Sequence, residues 1–324
     1  MYEPDAGAGD ATTPGPELLA VVAELAARPV PPALASVVAT LSSNYGDSLD
    51  AVLFYGSCLR NTDVFNGLVD VYALVDGYRH AYPRRALRWL NRALAPNVFY
   101  LECSGDSRLI RVKCAVLSTR AFERGVERWF HPYLWGRFAQ PVRVLYARDS
   151  ATRTRVNRAL ARAVVRFVGE VAGCLVAPFS AEQLWVSGLR RSYATELRVE
   201  GKDRAAELFD ASRGDYLALT SAAAAAAGLR TRATSQYELA ARGLYPVRAV
   251  ACGKWLLRRW QGRALSILRL IKNSYTFRGG VDYLVWKIER HTGVRVEVTP
   301  QLRRYPLIYG WSVLFRLLRA GVLR

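Results

Sequence analysis

The chain has 324 residues, 51% of them hydrophobic and 23% charged, with a net charge of +19 and an isoelectric point near 10.1. That composition is globular, the length suffices for a sizeable core and about two domains, and the charge favours an anionic partner: nucleic acid, an acidic membrane or a phosphorylated substrate. The five cysteines are scattered, odd in number and without CxxC spacing, which argues against a disulfide framework or a zinc site.

Residues 1–16 are acidic and rich in Gly, Pro and Thr, and lack the basic start and apolar centre of a signal peptide. They are expected to form a disordered tail on a cytoplasmic protein. No apolar run approaches the ~20 residues of a spanning helix, so membrane contact is expected to be peripheral, at the inner face. Helical spacing over 17–27 and 32–43 is interrupted by Pro29, Pro31 and Pro32.

A strand over 50–55 ends at Gly56-Ser57, a small pair that lets backbone N–H groups and a hydroxyl approach an anion. A second strand over 68–75 carries Asp70 among Leu, Val, Tyr and Ala. A carboxylate in so apolar a run needs a partner, and a metal ion is one reason to keep it. Phosphate cradle followed by metal ligand is a nucleotidyl-transfer layout; a turn serine and an edge aspartate facing water is the plainer alternative.

Periodicity predicts a helix over 80–95, strands over 98–103 and 109–118 in the same sheet, a helix over 119–135 and a last strand over 142–147. Glu102 on the third strand is a candidate second metal ligand or an edge acid in solvent. Lys113, one of only five lysines, could meet a phosphate as a point charge, or snorkel at the surface. Asp76 is a weaker candidate acid, and His80, His131 and His291 are taken as structural.

From residue 149 the pattern turns helical, over 151–176, 181–189 and 203–229, with Ser180 as a predicted N-cap. Arg153, Arg155, Arg158 and Arg162 give the first of these helices a basic face. Trp255, Trp260, Trp286 and Trp311, interleaved with Leu and Arg, fit helices lying in a membrane interface, with the indoles at headgroup depth and the cations on lipid phosphates. The best fit is 305–324, although a helix docked on the protein's own core has the same pattern. The expected divisions are a tail (1–16), an α/β domain (17–148), a helical domain (149–235) and a basic, Trp-rich membrane-associating region (236–324).

Several stretches, in order, resemble the phosphatidate cytidylyltransferases of the mitochondrial translocator assembly and maintenance type, peripheral CDP-diacylglycerol synthases with bacterial relatives. They are Tyr55-Gly56-Ser57, Val69-Asp70-Val71, Asn91 with Pro96-Asn97 through Tyr100, VKCAVLS at 112–118, YLWGRFAQPVRVL at 133–145 and FSAEQLWVSGLRRSYATELRVEGKD at 179–203. The likeness covers about residues 50–215. Further on, GRALSILRLIKNSYTFRGGVDYLVWKIERHTG looks like a segment of the bacterial relatives.

The resemblance implies a nucleotidyltransferase-type mixed sheet followed by a mainly helical domain and a basic amphipathic C-terminal region. It also implies transfer of CMP from CTP to phosphatidic acid with Mg²⁺. Gly56 and Ser57 would hold phosphates, Asp70 the metal, and Lys113 a triphosphate or lipid phosphate. Arg137, Glu196 and Arg198 come from the resemblance alone, and Tyr193 is a candidate to stack on cytosine or to sit in the core. The chain departs from the family at Gln140, where a lysine is usual, and at Thr195-Glu196-Leu197-Arg198, where Gly-Asp-Phe-Arg is usual. The superfamily's second strand acid is Tyr72 here. Other acceptors, namely another lipid head group or RNA, and a non-catalytic basic adaptor remain open at this point.

Overall fold

A computed structural model describes residues 13–61, 63–105, 108–196, 203–233, 236–240 and 247–276. Helix α1 (Pro16–Ala27) starts with proline, whose missing N–H costs nothing in a first turn, and buries Leu18, Val22 and Leu25. A 3-10 turn (Pro32–Leu34) leads into α2 (Ala35–Tyr45). Then follow β1 (Leu49–Tyr55), α3 (Ser57–Asn61), β2 (Leu68–Val75), α4 (Tyr78–Ala81), α5 (Arg85–Ala93), β3 (Asn97–Gly105) and β4 (Arg108–Ser118). The chain continues through α6 (Thr119–Arg128), α7 (Trp135–Phe138), β5 (Arg143–Ala147), α8 (Ser150–Ala172), β6 (Phe179–Ser180) and α9 (Ala181–Tyr193). It ends, within the described residues, with α10 (Arg204–Asp210), α11 (Arg213–Ala223), β7 (Leu229–Ala233), β8 (Gln236–Leu239) and α12 (Val247–Thr276).

Three expected helices are shorter than their periodicity suggested. The one over 80–95 is two, α4 and α5, because Pro83 holds Tyr82 extended (φ −132°, ψ 121°). The one over 119–135 stops at Arg128, where Trp129 turns extended ahead of Pro132. The one over 203–229 divides between α10 and α11 and gives way at Leu229 to the small sheet β6-β8-β7, which the sequence did not reveal. Ser180 does cap α9: its hydroxyl accepts from Gln183 N at 3.1 Å while the Gln183 side chain accepts from Ser180 N at 2.8 Å, a complete capping box.

The main sheet is mixed, in the order β3-β4-β2-β1-β5, with β2 parallel to β4 and the other pairs antiparallel. Its side chains alternate between two cores, as period-2 geometry requires. Val52, Phe54, Val69, Val71 and Val112 pack with Val37 and Leu41 of α2 and with Tyr82. Leu53, Tyr72, Leu74 and Leu117 pack with α1, α6, α7, α8 and α9 on the other face. One apolar cluster thus continues from the sheet across residue 149 to Phe167 of α8, Trp185 of α9 and Trp255 of α12. Trp185 lies between Phe167, stacked at 4.6 Å, and Tyr216 at 4.5 Å.

Asn91 and Asn97, matched above on resemblance, are structural tie points. Asn91 Nδ2 donates to Val116 O at 2.9 Å and to Tyr82 Oη at 3.0 Å, and its Oδ1 accepts from Asn97 N at 3.0 Å. They satisfy buried backbone groups where α5 meets the sheet.

Helix α12 departs from the expected division of labour at a membrane interface. Trp255 and three cations face inward. Arg258 is 1% exposed, donates to Phe130 O at 2.8 Å and pairs with Glu170 at 2.7 Å. Arg269 Nε donates to Ala95 O, and Lys272 Nζ donates to the carbonyls of Leu94 and Pro96. Burial, reinforced by the Arg269 charge, lowers Lys272 to about 7. The apolar side chains Leu256, Leu257, Trp260, Ile267 and Leu270 face outward instead. The cations can do this because each finds a carbonyl or carboxylate, without which burial would be prohibitive. Trp286, Trp311, His291 and the helix expected over 305–324 lie outside the described residues, as do residues 1–12.

His131 is buried between these layers, 5.1 Å from the Trp129 ring. Burial, and then the Arg269 and Arg166 charges, lower its pKa to about 3. The unfolded chain takes up this proton near pH 6.5 and the folded chain only near 3, so stability is lost as pH falls through that window, by at most about 1.4 kcal/mol per unit. Urea denaturation at pH 7 and pH 4.5 should show a smaller loss in His131→Phe than in the native chain; equal losses would assign the acid sensitivity elsewhere.

Candidate functional site

Strand register places Asp70. It pairs across β1 with Tyr55 and along the parallel strand β4 with Lys113, so these side chains share a face of the sheet. Tyr72 and Leu74, two and four residues on, lie on that face beneath the helical layer. Asp70 stands where the cover ends and lines a cavity of about 470 Å³. Its Oδ1 is 3.5 Å from Lys113 Nζ, with the two side chains 23% and 40% exposed. Solvent weakens such a pair, so Lys113 can turn to a bound phosphate at small cost.

Gly56 adopts φ +92°, and a Cβ there would lie 2.9 Å from Asp70 Oδ2. Glycine is therefore required twice, by the backbone and by the carboxylate. Gly56→Ala is expected to cost about 1–3 kcal/mol through the left-handed backbone and to displace Asp70 from the cavity wall. Urea denaturation would measure the cost, and a stability within 0.5 kcal/mol or so of the native chain would contradict it.

Arg137 enters from α7. Gly136 allows α7 to approach α9 closely, since a Cβ there would collide with Ser192 Oγ. The Arg137 guanidinium donates from Nη2 to both Glu196 oxygens, at 2.9 and 3.2 Å, and from Nη1 to Tyr72 Oη at 3.2 Å. It also lies 4.6 Å over the Tyr133 ring. Burial alone would lower the Arg137 pKa; the Glu196 charge foremost, and then Tyr55, Tyr72 and Tyr133, outweigh it and hold the group above its ordinary value. Tyr72, where a second strand acid was expected by resemblance, thus anchors this guanidinium. Gln140 accepts from Tyr193 Oη at 3.2 Å and donates to Gly136 O at 3.2 Å, so the departure from lysine is absorbed by hydrogen bonds within the cavity wall.

Of the residues singled out in the sequence, Gly56, Ser57, Asp70, Lys113, Arg137, Tyr193 and Glu196 all line this one cavity. Glu102 is not among its lining residues. It sits on β3, one strand beyond Lys113 and opposite Arg111, and accepts from Tyr100 Oη at 2.7 Å. Arg198 lies outside the described residues. The cavity also recruits Arg28, Arg60, Arg143, Arg204 and Asp215, which sequence reasoning passed over. An arginine-rich chain gives no local mark of which arginines converge. Among the described residues, six cations and three carboxylates make the lining net positive.

Among the described residues no three His, Cys, Asp or Glu side chains gather in a metal-binding cluster. Asp70 nevertheless suits magnesium, which is commonly held by one or two carboxylates together with substrate phosphates and water. The bare Cα of Gly56 leaves room beside Asp70 Oδ2.

No protein-family model matches the chain, and no curated protein is significantly similar to it.

Proposed function

We propose that this protein is a nucleotidyltransferase-type phosphatidate cytidylyltransferase, which transfers CMP from CTP to phosphatidic acid at a membrane surface and releases CDP-diacylglycerol and pyrophosphate. The supporting observation is the convergence of Gly56, Ser57, Asp70, Lys113 and the Arg137–Glu196 pair, from separate elements, on one net-positive cavity. The motif resemblance supplies the choice of nucleotide and acceptor.

In this reaction an acceptor phosphate oxygen attacks the α-phosphorus of CTP, and the bond from that phosphorus to the bridging oxygen breaks, so pyrophosphate leaves with the electron pair. No proton need move. The protein's task is to position two anions and neutralise their charge. Gly56 and Ser57 would hold the triphosphate, with Lys113 turning from Asp70 toward it. Asp70 would hold Mg²⁺, which, when bound, neutralises charge developing on the phosphate oxygens. Arg137, locked by Glu196 and Tyr72, would present a fixed positive edge, with Tyr193 available to stack on the base.

A lipid acceptor requires contact with a membrane. The outward apolar face of α12, bearing Leu256, Leu257, Trp260, Ile267 and Leu270, and the charge of +19 support peripheral attachment to an anionic leaflet, at the cytoplasmic face. Among the described residues no single helix is long and apolar enough to cross a membrane.

The test is purified protein with labelled CTP, Mg²⁺ and phosphatidate vesicles, with the other nucleotides as competitors. Labelled CDP-diacylglycerol is the expected product. Failure to form a CDP-lipid from any phospholipid would reject the proposal. Salt-sensitive nucleic-acid binding without vesicle binding would favour an RNA acceptor, and vesicle binding without turnover would favour an adaptor.

A further inference from the structure

The charges lining the cavity are unequally partnered. Lys113 faces Asp70, Arg137 is clamped by Glu196, Arg28 pairs with Asp215 at 2.7 Å and Arg204 with Glu207 at 2.9 Å. Arg143 differs. Its Nε is buried and has no hydrogen-bond partner among the described residues, and Nη1 donates to Val142 O at a long 3.3 Å. Burial lowers its pKa and the neighbouring Arg28 charge lowers it further, with Asp215 only partly opposing. A buried guanidinium N–H with nothing to donate to is unfavourable, and a second cation beside it adds to the cost. The group that would relieve both is an anion with several acceptor oxygens, matching the arginine fork.

The position of Arg143 narrows the choice of anion. It pairs with Phe54 on β1, next to Tyr55, which pairs with Asp70. Its Cα therefore stands two strands, about 10 Å, from that of Asp70, on the side away from Lys113. An in-line transfer needs attacking and leaving oxygens on opposite sides of the phosphorus. With the triphosphate along Gly56, Ser57 and Lys113, the Arg143 side is left for the attacking group.

We propose that Arg143, with Arg28 beside it, is the subsite for the acceptor's phosphate monoester; this rests on the transferase reading for the role of that phosphate, though not for its binding. Phosphatidate and glycerol 3-phosphate share this chemistry, and separate measurements distinguish them.

The experiment uses the full chain with Arg143→Gln and Arg143→Lys. At saturating CTP, Arg143→Gln should raise the KM for phosphatidate in vesicles at least tenfold and leave the KM for CTP within twofold, with Arg143→Lys recovering part of the loss. Thermal denaturation of Arg143→Gln should show an unchanged or higher midpoint, because relief of the Arg28 repulsion and of the unpartnered Nε offsets the lost Val142 hydrogen bond and the partial Asp215 attraction. A merely structural arginine would lower the midpoint. An equal or larger rise in the KM for CTP, or no change in either, would overturn the assignment. If the native chain makes no CDP-lipid, the transferase reading fails separately, and phosphorus NMR of glycerol 3-phosphate then decides the subsite. Line broadening by the native chain that Arg143→Gln abolishes supports it; equal broadening by both, or none by either, overturns it.

Discussion

Asp70→Asn is expected to lower CMP transfer by about a thousandfold, some 4 kcal/mol of transition-state stabilisation, while leaving fold and vesicle binding intact. The substitution keeps the shape of the side chain and removes the negative charge that would hold Mg²⁺ beside the phosphates. Little stability should follow, because the Asp70–Lys113 pair is long and partly exposed, at 3.5 Å and 23% and 40%, and such pairs contribute at most about 1 kcal/mol. Labelled-product assays and vesicle flotation on the same preparation separate the two properties. Turnover within tenfold of the native chain would remove Asp70 from the chemistry. Loss of vesicle binding along with activity would point instead to a collapsed fold.

Glu196→Ala is expected to have the largest effect on stability of any single change at the site, about 3–5 kcal/mol. Arg137 and Glu196 are only 11% and 15% exposed, and removing one partner strands a buried charge. Glu196→Gln should cost less, because an amide oxygen still accepts from Nη2. The double substitution Arg137→Met with Glu196→Leu should recover much of the loss, since both charges leave together. Urea midpoints of the three variants decide the matter. If the double variant were as unstable as Glu196→Ala, the damage would lie in packing and not in the stranded guanidinium. Even the recovered variant should transfer CMP poorly, because the fixed positive edge of the cavity has gone.

These expectations differ in how far the sequence alone supports them. Asp70 was visible because a lone carboxylate in LVDVYALV contradicts its surroundings, and such a contradiction is local. Gly56-Ser57 was visible for the same reason, as a break after an apolar strand. Lys113 stood out only through the scarcity of lysine. Its place beside Asp70 follows from the parallel pairing of β2 with β4, two strands separated by two helices and a third strand. Glu102 was a plausible ligand on sequence grounds. Register puts it opposite Arg111 rather than in the Asp70–Lys113 row, a displacement of two residues that no local pattern encodes.

The sequence by itself determined the element types wherever the evidence lay within one turn or one strand. It marked the two central strands, the Ser180 cap, the glycine after β1 and the overall positive charge, because backbone preference and hydrophobic period act over a few residues. Tertiary structure alone decided partnership. It brought Arg28 of the linker after α1, Arg143 of β5 and Asp215 of α11 to one cavity, used Tyr72 to anchor Arg137, and turned three cations of α12 inward onto carbonyls and a carboxylate. An arginine's role depends on which acceptors the fold delivers within about 3 Å of it. Those acceptors come from anywhere in the chain, so most of the arginines look alike until the backbone has been folded.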